Sequence, residues 1–383
     1  MPAAPVLIHV QHLLGVGHLK RAAALARALA DQGFEVTLLS GGMPDHVALG
    51  RAHLVQLEPL RAADTSFATL IDRDGRPLDD ALRERRRRAV LDAYNKLQPR
   101  VLITEMYPFG RRQLRFELLP LLEAAHTSTP KPLILCSVRD ILVEKSKPER
   151  VAEMATLARR YYDHVLVHGD ERLLPFAATF PRAGEIADLI VHTGYVASES
   201  GIEAPPGIGH DEIIVSAGGG PVGLRLTECA LTARDLASPS VRARRWRILV
   251  AGGFEPATFD RLARRASDGL IVERARPDFP ALLARATLSV SQAGYNTVMD
   301  ILGAGVRAIL VPFAAGRETE QSVRAAALEA RGRALALDEA ALTPERLCAA
   351  IEQALKAAAP GPSPFALDGA EHSAQLIASW LRR

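Results

Sequence analysis

The amino-acid sequence predicts an α/β fold made of two Rossmann-like domains, each built on a parallel sheet. Short apolar runs alternate with helical patterns in both halves of the chain, which is typical of strands joined by crossover helices. A stretch of Ser, Glu, Gly and Pro over residues 198–210 separates the halves and has the composition of a linker. The chain of 383 residues is also too long for one ordinary core.

Strands and helices alternate throughout the first half, residues 1–197, which we take as one domain. The predicted strands are Val6–Val10, Glu35–Leu39, Leu54–Leu57, Val101–Thr104, Leu133–Val138 and His164–Val167. The predicted helices are Ala22–Ala30, a segment near 79–97 and a segment after Pro148. This order predicts a parallel sheet that is covered on both faces.

The second half, residues 211–383, repeats the pattern and predicts a second domain. Its strands are Glu212–Val215, Ile248–Val250, Leu270–Val272, Leu288–Val290 and Ala308–Val311. A helix near Glu371–Leu381 follows a Pro-rich break at 360–364, and we assign it to this domain. Two such domains are expected to face a central cleft, with ligands beyond the carboxyl ends of the strands.

The charge of the chain is mild, but one predicted helix is strongly basic. The net charge is +3 and the pI is near 8.8, while Arg83 and Arg85–Arg88 crowd into one segment. A solvated helix face is the favoured interpretation, and contact with an anionic membrane surface is the alternative. Aromatic residues make up only 5% of the chain and none lies among these arginines, which disfavours nucleic acid as a partner.

Composition also bears on the compartment. No run of about 18 or more apolar residues is present, and the first residues lack the pattern of a signal peptide. We therefore expect a cytoplasmic protein. The cysteines Cys136, Cys229 and Cys348 are far apart in apolar segments, which suits free buried thiols in a reducing compartment.

The loop after the first strand contains the first candidate catalytic residue. Gly15 and Gly17 permit a tight turn that brings backbone N–H groups near a ligand, but Lys20 replaces the third glycine of the dinucleotide fingerprint. His18 lies at a helix start, where the dipole favours a neutral ring that can act as a base. A structural histidine bonded to a neighbouring loop is the alternative. Arg21 could bind a phosphate or a surface acid.

Two carboxylates that follow later strands are further acid or base candidates. Glu105 follows the fourth strand, although Arg111 or Arg112 could simply pair with it. Asp140 follows the next strand and is the remaining candidate. The pairs of histidines at positions 9 and 12 and at 164 and 168 have no third ligand at metal-site spacing, so no metal site is expected.

The second half contains two glycine turns that suit a diphosphate. Ser216 is followed by Gly218, Gly219 and Gly220, whose amides are unshielded. The second turn, at Gly294, precedes a helix near Tyr295, and its candidate binding residues are Asn296, Thr297 and Asp300. Asp300 could accept two ribose hydroxyls, and Glu320 with Gln321 could bind sugar hydroxyls. Thr297 and Asp300 also fit a capping box, which would be a purely structural role.

These residues resemble a known family, the GT-B glycosyltransferases, and in particular relatives of the peptidoglycan lipid-intermediate N-acetylglucosaminyltransferase. The similarity extends over nearly the whole chain and is strongest to a bacterial group called predicted glycosyltransferases. The shared strings are Gly15–His18, Pro108–Arg112 with Phe116–Pro120, Ser137–Ile141 and Val167–Asp170.

The resemblance implies an acceptor-side N-terminal domain, a donor-side C-terminal domain, and metal-independent transfer with inversion. It places Gly218–Gly220 on the diphosphate loop, Asp300 on the ribose acid, and Glu320 with Gln321 on the sugar hydroxyls. The ribose acid of the peptidoglycan enzyme is usually glutamate, so Asp300 is a departure. The donor implied is a UDP-linked sugar with no other cofactor, and the acceptor is lipid-linked or a small glycan. A peripheral position at the inner face of the membrane fits such an acceptor.

Two alternatives remain open from the sequence. The Gly17-His18 helix start with Arg21 also resembles the nucleotide-sugar hydrolase of pseudaminic acid synthesis, which uses water as the acceptor. A non-enzymatic nucleotide-sugar-binding protein would need the binding residues of the second domain but no base.

Overall fold

The structure is a computed structural model and describes residues 4–13, 15–64, 69–142, 147–197, 202–217, 223–313 and 319–382. The chain forms two compact units, which we call unit 1 and unit 2. Unit 1 comprises Met1–Val196 and Phe365–Arg383, and unit 2 comprises Ala197–Pro364. Each unit is an α/β structure around its own parallel sheet.

Strands and helices alternate along most of the chain. The strands are β1 (Pro5–Val10), β2 (Glu35–Ser40), β3 (His53–Gln56), β4 (Arg61–Ala62), β5 (Leu70–Ile71), β6 (Val101–Glu105), β7 (Leu133–Arg139), β8 (His164–His168), β9 (Ile190–His192), β10 (Ile213–Ser216), β11 (Trp246–Val250), β12 (Leu270–Arg274), β13 (Leu288–Ser291), β14 (Arg307–Leu310) and β15 (Leu335–Ala336). The helices are α1 (Gly17–Asp31), α2 (Asp80–Leu97), α3 (Arg115–Thr127), α4 (Pro148–Tyr161), α5 (Leu224–Leu236), α6 (Pro239–Arg242), α7 (Pro256–Ala263), α8 (Phe279–Leu283), α9 (Tyr295–Ala304), α10 (Glu320–Glu329), α11 (Pro344–Lys356) and α12 (Gly369–Trp380).

The sheet of unit 1 has the order β3-β2-β1-β6-β7-β8-β9, and all its strands are parallel. Successive strands run outward from β1 to one edge, and the chain then returns to β6 on the other side of β1. The strand order therefore reverses between β1 and β6. Such a reversal opens a crevice at the carboxyl ends of the two strands, where α/β proteins bind ligands.

Unit 2 repeats this topology. Its sheet has the order β12-β11-β10-β13-β14-β15, again with parallel strands. The order reverses between β10 and β13, so the loops after these two strands are the expected ligand-binding loops of this unit. The two Rossmann-like sheets confirm the predicted fold class.

Apolar side chains cover both faces of the sheet of unit 1. One face packs against α2, α3 and α4, and the other packs against α1 and α12. The buried residues of α1 include six alanines, which let this helix lie close to the sheet. The sheet of unit 2 packs against α5 and α11.

The terminal helix α12 belongs to unit 1, so its assignment to the second domain from sequence was wrong. Its residues Ala370, Ala374 and Ile377 share one apolar cluster with α1. The amide of Gly369 donates to the Tyr195 carbonyl at 2.9 Å. A Cβ at position 369 would lie 2.2 Å from the carbonyl oxygen of Gly194, so the contact requires glycine. At the Pro-rich break the chain returns from unit 2 to unit 1, and the alternation of strands and helices in the sequence does not reveal this.

The basic segment of α2 is mostly compensated by acids and includes one buried ion pair. Arg85 pairs with Glu58, while Arg87 and Arg88 pair with Glu84. Arg86 is instead fully buried. A wholly solvated helix face is therefore wrong for this segment, because one of its arginines points into the core.

Several elements were not predicted from the sequence. They include β9, the short antiparallel pair β4 and β5, and the helix α11. Cys136 and Cys229 are buried, Cys348 is half-buried, and all three are free. Within the described ranges, no helix is both long and apolar enough to cross a membrane.

Candidate active site

The strongest candidate site in unit 1 lies where the strand order reverses. His18 is the second residue of α1, which follows β1, and Glu105 is the last residue of the neighbouring strand β6. The Nδ1 atom of His18 and the Oε1 atom of Glu105 are 2.8 Å apart. Two residues that are 87 positions apart in sequence therefore form one hydrogen-bonded pair.

Arg21 completes the immediate surroundings of Glu105. It lies one turn after His18 on α1, and its guanidinium donates to the same Oε1 atom of Glu105. Burial of Glu105 opposes its ionisation, but the hydrogen bond from His18 and the positive charges of Arg21 and Arg111 outweigh this and keep its pKa well below the usual range. Glu105 is therefore an ionised and fully buried carboxylate.

The pair fixes which nitrogen of His18 can take up a proton. An ionised carboxylate can only accept a hydrogen bond, so the tautomer that satisfies this contact carries its hydrogen on Nδ1 and keeps the lone pair on Nε2. Burial lowers the pKa of His18 to about 4, although the Glu105 carboxylate opposes this shift. The side chain is still 18% exposed. The ring of His18 is thus neutral, held by Glu105 and accessible to a ligand, as a general base would need to be.

Two more groups lie near this pair, one in the loop after β6 and one at the end of β8. Arg111 donates from Nε to the Gln11 carbonyl at 2.8 Å, and burial lowers its pKa to about 10. His168, at the end of β8, contacts Ser137 Oγ at 2.8 Å, and burial lowers its pKa to about 3. The sequence did not predict a site role for either residue. The sequence signal that could have identified them is that consecutive parallel strands end in, or are followed by, polar residues.

Two sequence-based expectations for this region change. Arg112, considered as a partner of Glu105, pairs with Glu153 at 3.5 Å. Asp140 is only 1% exposed, and a Cβ added to Gly169 would lie 2.7 Å from the Cβ of Asp140. A carboxylate held under a glycine in this way is less accessible to a substrate than His18.

In unit 2, candidate residues again lie at the reversal of strand order. Ser216 ends β10 and aligns with Ser291, which ends β13. The predicted diphosphate loop residues Gly218, Gly219 and Gly220 lie outside the described residues. The loop resumes at Gly223, which has a φ of 100° and requires glycine because a Cβ there would lie 2.2 Å from the Cβ of Ala217.

The helix α9 after the second glycine turn starts with uncapped N–H groups. Its N-cap is Gly294 in an extended conformation, without a side-chain cap. Asn296 and Thr297 are its second and third residues, and Asp300 is its sixth. Because Thr297 lies inside the helix, the capping-box interpretation of Thr297 and Asp300 is wrong. Asp300 instead lies half-buried in the second turn.

The two candidate sugar-binding residues start α10. Glu320 pairs with Arg324 at 2.9 Å, and Gln321 accepts a hydrogen bond from the Phe313 amide through Oε1 at 3.0 Å. Arg324, which the sequence did not suggest, also donates to the Ala293 carbonyl at 3.1 Å. It thereby connects the start of α10 to the start of α9. Both carboxylate and amide are held in place by these bonds.

No group of three or more His, Cys, Asp or Glu side chains in the described part of the chain is arranged to hold a metal ion. His9, one of the histidines considered in the sequence, contacts Glu117 at 3.2 Å.

Comparison with known proteins identifies relatives of unit 2. Residues 247–371 match the model of the glycosyltransferase family 28 C-terminal domain. A UDP-N-acetylglucosamine--N-acetylmuramyl-(pentapeptide) pyrophosphoryl-undecaprenol N-acetylglucosamine transferase of Methylorubrum extorquens is 34% identical over 108 residues. That alignment covers 26% of this chain and 29% of the relative. The chain therefore matches less than a third of the length of this curated relative.

The fold of the whole chain is that of the GT-B glycosyltransferases. The calicheamicin glycosyltransferase CalG4 superposes with a TM-score of 0.62 at 16% identity, covering 99% of this chain and 95% of that one. MurG of Acinetobacter baumannii superposes with a TM-score of 0.60 at 18% identity, covering 98% and 99%. The expected resemblance to GT-B proteins, MurG among them, is confirmed.

Proposed function

We propose that this protein is an inverting glycosyltransferase that moves a sugar from a nucleotide diphosphate sugar to an acceptor hydroxyl. The observation that carries the proposal is the pairing of His18 with the buried Glu105 carboxylate at the strand reversal of unit 1. The pair supplies an oriented neutral base. The similarity of unit 2 to the family 28 domain supports a nucleotide-sugar donor.

The proposed reaction transfers one proton, forms one bond to the anomeric carbon and breaks another. The acceptor hydroxyl gives its proton to Nε2 of His18, and its oxygen attacks the anomeric carbon. The bond from that carbon to the diphosphate oxygen breaks on the opposite face, so the configuration inverts. The diphosphate leaves with the bonding electron pair, and Glu105 stabilises the imidazolium that forms.

The charge that develops on the diphosphate is matched by features of unit 2. The start of α9 presents uncapped N–H groups and the positive end of a helix dipole. Preorganised dipoles of this kind usually contribute most of the stabilisation of a transition state. The name of the relative from Methylorubrum extorquens favours UDP as the nucleotide.

The first test is a thermal-shift screen of nucleotide sugars and free nucleotides. A ligand present at 100 times its dissociation constant adds about 2.7 kcal/mol to the free energy of unfolding. We expect UDP and a UDP-linked sugar to raise the midpoint temperature more than adenine or guanine nucleotides do. If no nucleotide shifts the midpoint, the donor assignment is wrong.

Replacement of the proposed ribose-binding acid gives a second test. Asp300→Ala should weaken binding of the nucleotide by about 1.5–3 kcal/mol, because a carboxylate that accepts two hydroxyls makes charge-assisted hydrogen bonds. Isothermal titration calorimetry with UDP measures the change. Asp260→Ala is the control, since it removes an exposed carboxylate from α7 of the same unit. Equal affinities of the two variants would contradict the ribose role.

Metal independence is a third expectation. The uncapped start of α9 and the glycine loop after β10 can neutralise the leaving diphosphate without a cation. Activity should therefore persist in EDTA. A complete loss in chelator that manganese or magnesium restores would contradict this prediction. The protein is dialysed beforehand to remove zinc carried over from purification.

A nucleotide-sugar hydrolase is the second candidate, because the same base can activate water instead of an acceptor hydroxyl. Incubation of the protein with the identified donor separates the two. A hydrolase releases free sugar at the full rate without any acceptor, whereas a transferase does so only slowly.

The proposal also includes a peripheral position at a membrane, which fits a lipid-linked acceptor.

A further inference from the structure

The loop after β6 is bent at both ends beside the candidate site of unit 1. Met106 has a φ of 68° and Arg111 has a φ of 60°, so both residues lie in the left-handed region. Neither is glycine, and a side chain in this region costs conformational free energy, which is common at ligand-binding sites. The bent loop holds the Arg111 side chain against the loop after β1, where its Nε donates to the Gln11 carbonyl at 2.8 Å.

The guanidinium of Arg111 is anchored at this one nitrogen. In the part of the chain that the structure describes, the bond to Gln11 is its single hydrogen bond, and no carboxylate pairs with it. Arg112, the next residue, instead pairs with Glu153 at 3.5 Å. Arg111 is also half-buried, whereas Arg86 is enclosed in the core. Because a guanidinium has five N–H donors, its two terminal nitrogens remain for a ligand.

The charges that act on Arg111 are mostly positive. Burial lowers the pKa of Arg111, the Glu105 carboxylate opposes this, and the charges of Arg139 and Arg21 lower it further. Three guanidinium groups, Arg111 included, thus face one carboxylate, to which Arg21 already donates. The resulting net charge of +2 favours an anion. A phosphate, which carries up to about two negative charges, matches it better than a carboxylate does.

The same guanidinium lies close to the proposed base. Burial is the largest cause that lowers the pKa of His18, and the charge of Arg111 adds to it, although Glu105 opposes both. The His18 side chain is 18% exposed, so its ring can be reached by a ligand. A hydroxyl at Nε2 of His18 and an anionic group at Arg111 can therefore belong to one molecule.

We propose that Arg111 binds a phosphate group of the acceptor whose hydroxyl His18 deprotonates. The planar fork of a guanidinium matches two phosphate oxygens. Arg111 is then a specificity-determining residue that selects hydroxylated phosphates over neutral acceptors. This inference rests on the proposed function, because it names the substrate class of the same site. The phosphate belongs either to a soluble sugar phosphate or to a lipid head group.

Binding of a soluble phosphate to the full chain is followed at the ring of His18. Its nitrogen NMR signal is identified by its absence in His18→Ala, and it reports on unit 1 rather than on the proposed diphosphate site of unit 2. We expect glucose 1-phosphate to shift this signal in a saturable way and glucose to leave it unchanged. Arg111→Ala should weaken the phosphate at least tenfold. Arg111→Lys, which keeps the charge but not the fork, should weaken it about 3- to 10-fold and serves if Arg111→Ala does not fold.

A phosphate on a lipid is tested by cosedimentation with vesicles of phosphatidylinositol in phosphatidylcholine, with phosphatidylcholine alone as the control. The matched variant is Arg112→Ala, which removes a neighbouring arginine that already pairs with Glu153. It should bind both phosphate probes within about twofold of the unchanged chain. Binding of glucose 1-phosphate alone assigns a soluble acceptor, and binding of phosphatidylinositol alone assigns a lipid head group. The inference is overturned if neither phosphate probe binds, if glucose shifts the His18 signal as strongly as glucose 1-phosphate, or if the Arg111 and Arg112 variants lose affinity equally.

Kinetics separate this inference from the proposed function. With the donor found in the thermal-shift screen, Arg111→Ala should raise KM for a phosphate-bearing acceptor at least tenfold while the affinity for the donor stays nearly unchanged. Phosphate binding that depends on Arg111, without any sugar transfer, would contradict the transferase and leave the phosphate site in place. Transfer to a neutral acceptor that Arg111→Ala leaves unchanged would instead overturn the role of Arg111 and leave the transferase in place.

Discussion

His18→Ala should lower turnover about 10²- to 10⁴-fold while leaving the affinity for the nucleotide-sugar donor nearly unchanged. The reason is that the substitution removes the proposed proton acceptor at Nε2, which touches only the acceptor hydroxyl. Turnover is measured with the donor found in the thermal-shift screen, and donor affinity is measured separately by calorimetry. Measuring turnover and donor affinity separately distinguishes a base from a binding residue, because loss of a binding residue would also reduce the affinity for the donor.

The partner of His18 supplies a matched control for this experiment. Glu105→Gln keeps an acceptor for the Nδ1 hydrogen but removes the charge that stabilises the imidazolium. We expect a smaller loss than for His18→Ala. Combining the two substitutions should cost no more than His18→Ala alone, because Glu105 acts only through His18. Additive losses would mean that Glu105 contributes separately, for instance as the base itself.

The pH profile gives a third readout of the same pair. Because burial lowers the pKa of His18 to about 4, the base stays unprotonated as pH falls from 8 to about 5. The value of kcat/KM should therefore remain flat over that range and fall only near pH 4. An acid limb centred near 6.5 would indicate an exposed histidine and would contradict the buried pair. Unchanged turnover in His18→Ala would instead support a protein that binds nucleotide sugars without catalysis.

The fold class can be predicted from the sequence because the alternation of strands and helices and the apolar runs of buried strands are local features of the chain. The predicted strand Val101–Thr104 is apolar up to Ile103, and a strand buried on both faces of a parallel sheet requires such a run. The observed strand extends one residue further, to Glu105. Short edge strands such as β9 escape prediction, because three half-buried residues carry no periodic signal.

The candidate site could be predicted only one residue at a time. His18 and Glu105 were each proposed as a base from their places after strands, but their pairing depends on β1 and β6 being neighbours. That adjacency follows from the order of strands, which a single sequence does not give. The same limit explains why α12 was placed in the wrong unit, since its partner α1 is more than 300 positions away.

A buried ion pair between α2 and α3 could likewise not be predicted from a single sequence. Arg86 of α2 donates to both carboxylate oxygens of Glu117 on α3, at 2.9 and 2.7 Å. His9 of β1 contacts the same carboxylate at 3.2 Å. The Arg86 guanidinium also donates to the Gly41 carbonyl at 3.1 Å and to that of Glu58. One arginine thus joins α2, α3 and the loop after β2.

Glu117→Gln should lower the free energy of unfolding at pH 7 by about 3–5 kcal/mol, because it leaves the Arg86 charge buried without its counter-ion. Burial opposes the ionisation of Glu117, but Arg86 outweighs it and lowers its pKa to about 2. A carboxyl with a lowered pKa stabilises the fold above its unfolded pKa, and this stabilisation is lost as pH falls from about 4.5 toward 2. The difference between Glu117→Gln and the unchanged chain should therefore shrink in acid. Denaturant unfolding at several pH values measures it.

Glu84→Gln is the matched control for this last prediction. Glu84 also has a pKa lowered to about 2, here through Arg87 and Arg88, but its side chain is 39% exposed. Water screens an exposed pair and solvates the arginines that remain, so its loss should change the stability far less than the loss of Glu117. Equal effects of the two substitutions would show that burial does not determine the contribution of the Arg86 pair. A loss below about 1 kcal/mol for Glu117→Gln would mean that the Gly41 and Glu58 carbonyls alone suffice to hold the buried guanidinium.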